Sequence, residues 1–193
     1  MKIKFILLFL FCTTTLTFAQ TSEHLIFKGV PIDGTLSEYV SKMEEAGFNK
    51  IEIDDGLAML QGDFASYKDC IIGVATLDQK DLVSKISIIF PESSKWSTLS
   101  SNYYYLKELL TEKYGAPSEI VEKFDTYSEP KDDNAKIHEV RMDRCKYYTS
   151  FELENGTIQL SIENDGIITC FVMLSYFDKI NSQAIRQHAI DDL

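Results

Sequence analysis

The stretch FELENGTIQLSIENDGIITCFVMLSYF, residues 151–177, contains three apolar segments separated by two turn signals. Asn155-Gly156 is a strong signal for a two-residue β-hairpin turn. Asn164-Asp165-Gly166 fits a three-residue hairpin loop with glycine in the left-handed region. The stretch therefore predicts a three-stranded antiparallel meander.

The alternation of apolar residues predicts a register for this meander. It places Phe151 opposite Leu160, and Leu160 opposite Cys170, so that apolar residues meet on one face. Cys145 would then lie near 20 Å from Cys170, at about 3.3 Å per residue, and we expect no disulfide between them. The other expected pairs are Leu153 with Ile158, Ile162 with Ile168, and Ile158 with Val172.

The opposite face of the meander is polar on the first two strands and apolar on the third. On the third strand it carries Phe171, Met173 and Phe177, whereas a solvated face should be polar. Either another part of the chain covers these side chains, such as the tail at 182–190, or they form a binding surface. Three further aromatic residues are candidates for a contact surface: Tyr148, Tyr104 and Trp96.

The rest of the chain alternates helices with runs of strands. Thr35-Leu-Ser-Glu38 has the spacing of a capping box and opens a first helix, and apolar residues at helical spacing predict a second helix ending at Tyr114. Strands are expected at Lys50–Asp54, Leu57–Phe64, Cys70–Leu77, Val83–Phe90, near Ile120–Phe124, and three times between 137 and 178. An acidic loop is expected at Ser128–Asn134, and a short helix or tail at the end of the chain.

This order predicts an α+β fold. We expect two tandem helix-plus-four-strand halves that form an antiparallel sheet with the helices packed on one face. The halves, 35–90 and 97–178, are a possible internal repeat. The composition, 45% hydrophobic and 25% charged, is that of a globular protein, and residues 20–193 are expected to form a single domain.

The first residues have the pattern of a secretory signal peptide. Lys2 and Lys4 precede a short apolar run, and a cleavage site with small residues follows at Ala19. We therefore expect residues 1–19 to be removed and the protein to be exported, to the periplasm or the exterior, without membrane insertion after cleavage. Lipid attachment at Cys12 is the alternative, although the bulky Phe11 before it does not favour lipidation.

The net charge narrows the range of binding partners, and the cysteine count limits the number of disulfides. The chain has a formal net charge of −11, and loss of the two lysines in residues 1–19 would bring it to −13. An acidic surface cannot neutralise phosphates, so nucleic acid is excluded, and a basic partner would be favoured by electrostatic steering. Three cysteines would remain, which permits at most one internal disulfide; small buried thiols are the expected role.

The sequence contains no catalytic signature and implies no cofactor. His24, His138 and His188 stand in unrelated contexts, and no nucleophile elbow, HExxH or phosphate-binding loop occurs. A hydrolase whose site is assembled from separated residues remains an alternative. A weak candidate for calcium is the loop that contains Glu129, Asp132, Asp133 and Asn134.

Several segments resemble a family of uncharacterised exported proteins from gut anaerobes. They are HLIFKGVPIDGTL (24–36), QGDF (61–64), KYGAP (113–117) and GTIQL (156–160). This resemblance implies an exported globular protein and supplies no catalytic residues. The element order is also similar to the β-lactamase-inhibitor-protein fold, in which an open sheet holds a partner protein.

The function predicted from these observations is that of an exported, non-catalytic binding module. Its open sheet face would take a protein or a small apolar ligand. The expected surface residues are Phe171, Met173, Phe177, Tyr148, Tyr104 and Trp96.

Overall fold

The computed structural model describes residues 24–77, 80–166 and 169–193 of the chain. The expected signal peptide, residues 1–19, lies outside the described residues. The helices are α1 (Leu36–Glu45), α2 (Trp96–Tyr114), α3 (Asp133–Arg141) and α4 (Ile180–Asp191). The strands are β1 (Ile26–Phe27), β2 (Val30–Pro31), β3 (Asn49–Asp54), β4 (Leu57–Phe64), β5 (Tyr67–Leu77), β6 (Lys80–Ile89), β7 (Glu119–Phe124), β8 (Cys145–Leu153), β9 (Gly156–Asn164) and β10 (Cys170–Asp178).

Eight strands form one antiparallel sheet in the order β3-β4-β5-β6-β10-β9-β8-β7. Strands β3 to β6 and β7 to β10 are two meanders, each preceded by a long helix. The meanders join through their last strands, where Ile89 of β6 lies opposite Met173 of β10 and Ile86 lies opposite Tyr176. The expected α+β class, with an antiparallel sheet, is confirmed. β1 and β2 form a separate two-stranded antiparallel hairpin.

Helix α1 begins at the predicted capping box. The Glu38 N–H donates to Thr35 Oγ1 over 3.3 Å, and the Thr35 N–H donates to Glu38 Oε2 over 3.1 Å. A carboxylate from β6 adds a further cap, because Asp81 Oδ1 accepts the Leu36 N–H at 3.0 Å. These contacts satisfy N–H groups that the first helical turn leaves without partners.

Helix α2 buries the predicted stripe against the second meander. Leu99, Tyr103, Leu106 and Leu110 are all buried, and the Tyr103 hydroxyl lies 2.6 Å from Thr149 Oγ1 of β8. This hydrogen bond satisfies two polar groups inside the core. Tyr103 is therefore a core residue.

The hydrophobic core lies between the helices and one face of the sheet. It contains the buried residues of α1, α2 and α3 together with alternate residues of the strands, such as Leu60, Ile72, Ile88, Leu160 and Leu174. All helix residues described as buried belong to this core, and no residue of α4 is buried. The described helices therefore bury their apolar residues on one side of the sheet.

The predicted register of the β8–β9 hairpin is wrong by two residues. Phe151 lies opposite Ile158, not Leu160, because the turn falls at Glu154-Asn155 and Gly156 already belongs to β9. A shift by an even number of residues keeps every side chain on its face, so the prediction of the two faces is nonetheless correct.

The β9–β10 register is wrong by four residues, because the connecting loop is longer than predicted. Leu160 lies opposite Leu174 rather than Cys170, and Cys170 lies opposite Asn164. Ile168, which was expected to pair with Ile162, lies outside the described residues. The loop is held by the Thr169 N–H, which donates to Asp165 Oδ1 at 2.9 Å.

The corrected registers also change the position of the cysteines. Cys145 and Cys170 fall in one row of the sheet on either side of Asn164, so their Cα atoms are about 10 Å apart, not 20 Å. This distance still exceeds the range of a disulfide. Cys70, Cys145 and Cys170 are all free and buried.

The segment expected to begin a strand near residue 137 is helical instead. Helix α3 occupies Asp133–Arg141, and Asp132 caps it by accepting the Ala135 N–H at 2.9 Å. Ile137 and Val140 are its buried residues, three positions apart. An N-cap residue followed by this spacing is a helix signal, which the acidic composition of the segment concealed.

Gly156 is required by a close approach rather than by its backbone conformation. A Cβ at this position would overlap the carbonyl oxygen of Phe177 and the side chain of Leu25. We expect Gly156→Ala to lower the free energy of unfolding by about 2 kcal/mol, since backbone cannot move aside cheaply. Gly73→Ala is the matched control, because its Cβ would meet nothing nearer than 3.8 Å. Urea denaturation of both variants measures the difference, and equal losses would contradict this role for Gly156.

Candidate functional site

The sheet face opposite the helices carries bulky apolar side chains side by side on three adjacent strands. Consecutive strand pairings place Ile71 beside Ile89 and Ile89 beside Met173. The row continues through Ser161 of β9 to Tyr148 of β8. We call Ile71, Ile89, Met173 and Tyr148 the bulky row.

A parallel row of small side chains lies two residues along each strand from the bulky row. The pairings join Gly73 to Ser87, Ser87 to Ser175, and Ser175 through Gln159 to Ser150. We call Gly73, Ser87, Ser175 and Ser150 the small row. Ser175 is only 2% exposed although it faces away from the helices, so the small row forms the floor of a shallow groove.

The polar groups of the small row are satisfied within the sheet. The Ser87 and Ser175 hydroxyl oxygens lie 3.1 Å apart, and Gln159 Nε2 donates to Ser150 Oγ over 3.2 Å. A partner that covers these groups would therefore bury hydroxyls that already take part in a hydrogen bond within the sheet, which lowers the cost of burying a polar surface.

Two aromatic residues of β10 flank the two rows. Phe177 lies opposite Lys85, whose ammonium is 5.0 Å from the centroid of the phenylalanine ring. Phe171, at the other end of the strand, is 8% exposed and lies opposite Glu163. Phe171 is not part of the core cluster, so its burial arises within this face.

The structure brings together four of the six surface residues predicted from the sequence. Phe171, Met173, Phe177 and Tyr148 share this face, where the Tyr148 hydroxyl donates to Glu119 Oε1 at 3.0 Å. Helices α1, α2 and α3 bury their residues in the core on the other side, and no residue of α4, which contains the tail at 182–190, is buried.

The other two predicted residues lie on the helical side of the sheet. Trp96 is 7% exposed and packs edge-on against Tyr147, with ring centroids 4.9 Å apart. Tyr104 is 45% exposed, and its hydroxyl donates to Glu122 Oε2. They therefore do not belong to the same surface as the residues of β8 and β10.

Sequence reasoning missed the contribution of β5 and β6 to this face. The signal was present, because Ile71-Ile72 and Ile88-Ile89 place apolar side chains on both faces of their strands. Consecutive apolar residues are typical of strands that are covered on both sides. The four strands β5, β6, β10 and β8 thus supply the apolar part of the site.

His24 is the histidine whose ring lies between two carboxylates. Its Nδ1 is 3.1 Å from Asp178 Oδ1, and its Nε2 is 3.5 Å from Asp33 Oδ2. Both ring nitrogens face acceptors, so neither is placed to remove a proton from a nucleophile. Asp178 also accepts the N–H groups of Leu25 at 2.7 Å and of Ile180 at 2.9 Å. The arrangement joins the start of the described chain to the end of β10.

Removing the Asp178 carboxylate should destabilise the fold. Asp178 is 4% exposed, and Asp178→Ala would leave two N–H groups without their acceptor. We expect a loss of about 3 kcal/mol in the free energy of unfolding. Asp192→Ala is the control, since Asp192 meets His188 on the exposed surface and should change stability by less than about 0.5 kcal/mol. Chemical denaturation that ranks the two variants equally would contradict this structural role.

Three of the four residues of the calcium candidate are engaged in other contacts. Asp132 caps α3, and Asp133 Oδ2 accepts the Ser97 hydroxyl at 2.8 Å. Glu129 lies 3.8 Å from the Lys136 ammonium. Across the described ranges, no group of three or more His, Cys, Asp or Glu side chains is placed to hold a metal ion.

Burial makes the three cysteines poor nucleophiles. It raises the pKa of the Cys70 thiol to about 11 and that of Cys145 to about 12, and it raises the pKa of Cys170 as well. The thiolate is the reactive form, so the native thiols should react slowly at neutral pH.

Alkylation with iodoacetamide tests this protection. In the native protein at pH 8, Cys70 and Cys145 should be labelled at least about 100-fold more slowly than in urea, since both burial and protonation oppose reaction. Raising the pH should accelerate labelling, because deprotonation occurs only as the pH approaches the raised pKa values. Peptide mapping by mass spectrometry measures each site. Rapid native labelling of either cysteine would be inconsistent with its buried position.

Two clefts of the described chain lie near His24 and near the start of α1. One of about 970 Å³ lies beside the start of α1 and includes Ser37 and Asp81. Another of about 550 Å³ lies between the β1–β2 hairpin and the end of α2, and includes His24 and Tyr114. Neither is centred on the bulky or the small row.

Comparison with protein-family models, with curated proteins and with solved structures gave no match. The resemblances to an exported family and to the β-lactamase-inhibitor-protein fold therefore stay predictions. Among the described helices, none is both long and apolar enough to cross a membrane.

Proposed function

We propose that the protein is an exported, non-catalytic binding protein that uses the uncovered sheet face to hold another protein. The bulky row carries this proposal. It places Ile71, Ile89 and Met173 side by side on the adjacent strands β5, β6 and β10, with Tyr148 of β8 beyond the polar strand β9, on the side of the sheet where the described helices bury nothing. Contiguous apolar surfaces of this kind are typical of interaction sites.

The dimensions of the face favour a protein over a small apolar ligand. Eight strands spaced about 4.8 Å apart give a width of about 34 Å, and four residues of one face of a strand span about 20 Å. The resulting area of about 700 Å² is close to what each partner contributes to a standard protein–protein interface. A small ligand, by contrast, would need an enclosing cavity.

Charge contributes on two scales. The acidic chain as a whole, at −11, would attract a basic partner by long-range steering. The centre of the face is balanced, because β6, β10, β9 and β8 present two lysines and two glutamates there, namely Lys85, Lys146, Glu152 and Glu163. Affinity at the face would therefore come from apolar contact rather than from net charge.

A hydrolase is the alternative function, and the geometry at His24 does not support it. Its ring nitrogens face Asp178 and Asp33, which leaves no free position for a general base.

Placing a charge in the bulky row should abolish partner binding. Met173→Asp puts a carboxylate in the middle of the face. The immobilised wild-type chain should retain partner proteins from an envelope or secreted fraction of the producing organism, and we expect the immobilised Met173→Asp chain not to retain them. Phe177→Ser should weaken the same interaction. Because Met173 is partly exposed, we expect Met173→Asp to lower the free energy of unfolding by no more than about 1 kcal/mol.

Met142→Asp is the matched control, since Met142 is exposed at the end of α3 on the helical side. Proteins retained by the wild type and by Met142→Asp, but not by Met173→Asp, would support the proposal. Identical retention by all three chains, with unchanged circular dichroism, would count against a binding role for this face.

A further inference from the structure

We propose that the partner of this face is a second copy of the same chain, packed sheet against sheet about a two-fold axis. This inference rests on the proposed function and names its partner. The axis would run across the strands, midway between the bulky row and the small row. Each strand then lies antiparallel to its own copy, as in aligned packing of two sheets, where strand directions agree to within about 30°.

The sequence of β10 is complementary to itself in this arrangement. Its outward residues, in order, are Phe171, Met173, Ser175 and Phe177. Read against a reversed copy, Met173 faces Ser175 of the second chain, and Phe171 faces Phe177. A bulky residue meets a small one in the centre, and two aromatic rings meet at each end.

The neighbouring strands repeat the same match of bulky with small residues. Ile89 of β6 faces Ser87 of the second chain, because the two residues lie on either side of the axis. On β5 the corresponding match is Ile71 with Gly73. The bulky row of each copy therefore fits over the small row of the other, which is the interdigitation that close packing requires.

Strand β8 adds a match of charge. Tyr148 faces Ser150 of the second chain, and Lys146 faces Glu152, one residue pair farther from the axis. On β9, Glu163 faces Thr157 and Ser161 faces Gln159, pairs that can form hydrogen bonds. On β6, β10, β9 and β8, no like charges face each other.

The area of the face is sufficient for a dimer. About 700 Å² per chain approaches the roughly 800 Å² that each partner buries in a standard interface. The net charge of the chain opposes association, since both copies are acidic. Added salt should therefore strengthen the dimer, whereas it would weaken the complex with a basic partner.

Sedimentation velocity of the purified protein tests the inference. Between about 1 and 100 µM, and in low and high NaCl, we expect a species of twice the monomer mass whose population rises with concentration and with salt. Ser87→Arg places a long side chain in the groove and should weaken association at least about 30-fold. Ser101→Arg, the matched control on the exposed surface of α2, should leave it unchanged.

Cross-linking tests the geometry. Ser87→Cys and Ile89→Cys chains, one carrying a size tag, are mixed and oxidised. A disulfide between unlike chains should form more readily than one between like chains, because Ser87 faces Ile89 across the axis. The buried native cysteines should contribute little.

A wild-type chain that stays monomeric at all concentrations and salts would overturn this inference. So would a dimer insensitive to Ser87→Arg or an equal yield of like and unlike disulfides. These results would leave the proposed function standing if Met173→Asp still removed a retained protein, particularly one released by salt. The proposed function itself is contradicted only if substitutions on this face change neither the retention of other proteins nor the self-association of the chain.

Discussion

The antiparallel pairing of β6 with β10 is the constraint on which the architecture depends. Residues 85–89 meet residues 173–177, and this contact joins two meanders edge to edge into one sheet. Because each meander brings its helix to the same side, one core forms between helices and sheet. Had the meanders stacked face to face, both sheets would have been covered. Edge joining instead leaves one wide face without a helical layer, and it places the apolar residues of both meanders side by side.

Sequence patterns predicted the faces of the strands better than their registers. Alternation identified the side on which Phe151, Leu160 and Met173 lie, but a period of two cannot distinguish registers that differ by two or four residues. Turn chemistry should have decided between them, yet it was misleading at Gly156. That glycine is needed where the backbone of Phe177 approaches, not in the turn itself. Close approaches between distant segments leave no local signal in a sequence.

The candidate site was predictable on β10 and only partly elsewhere. Phe171, Met173 and Phe177 stood out because they break the polar pattern of their own face. Their neighbours Ile89 and Ser87 could not be assigned, since they are more than eighty positions away along the chain and meet β10 only through the sheet order. Trp96 could not be assigned for a different reason. An aromatic residue at the start of a helix can lie on the surface or in the core, and only its contact with the ring of Tyr147 shows that it lies in the core.

The order of strands along the chain has a consequence for folding. All neighbours in the large sheet except β6 and β10 are consecutive strands, joined by short loops or, between β7 and β8, by a segment that contains α3. The central pair must instead close a loop of more than eighty residues. A growing chain completes β3 to β6 long before β10 exists. During that interval β6 is an edge strand, and its unpaired backbone N–H and C=O groups can pair with another extended chain. The apolar residues Ile86, Ile88 and Ile89 favour such a contact. When the second meander docks, β10 pairs with β6, and the early intermediate no longer has an open strand edge that could aggregate.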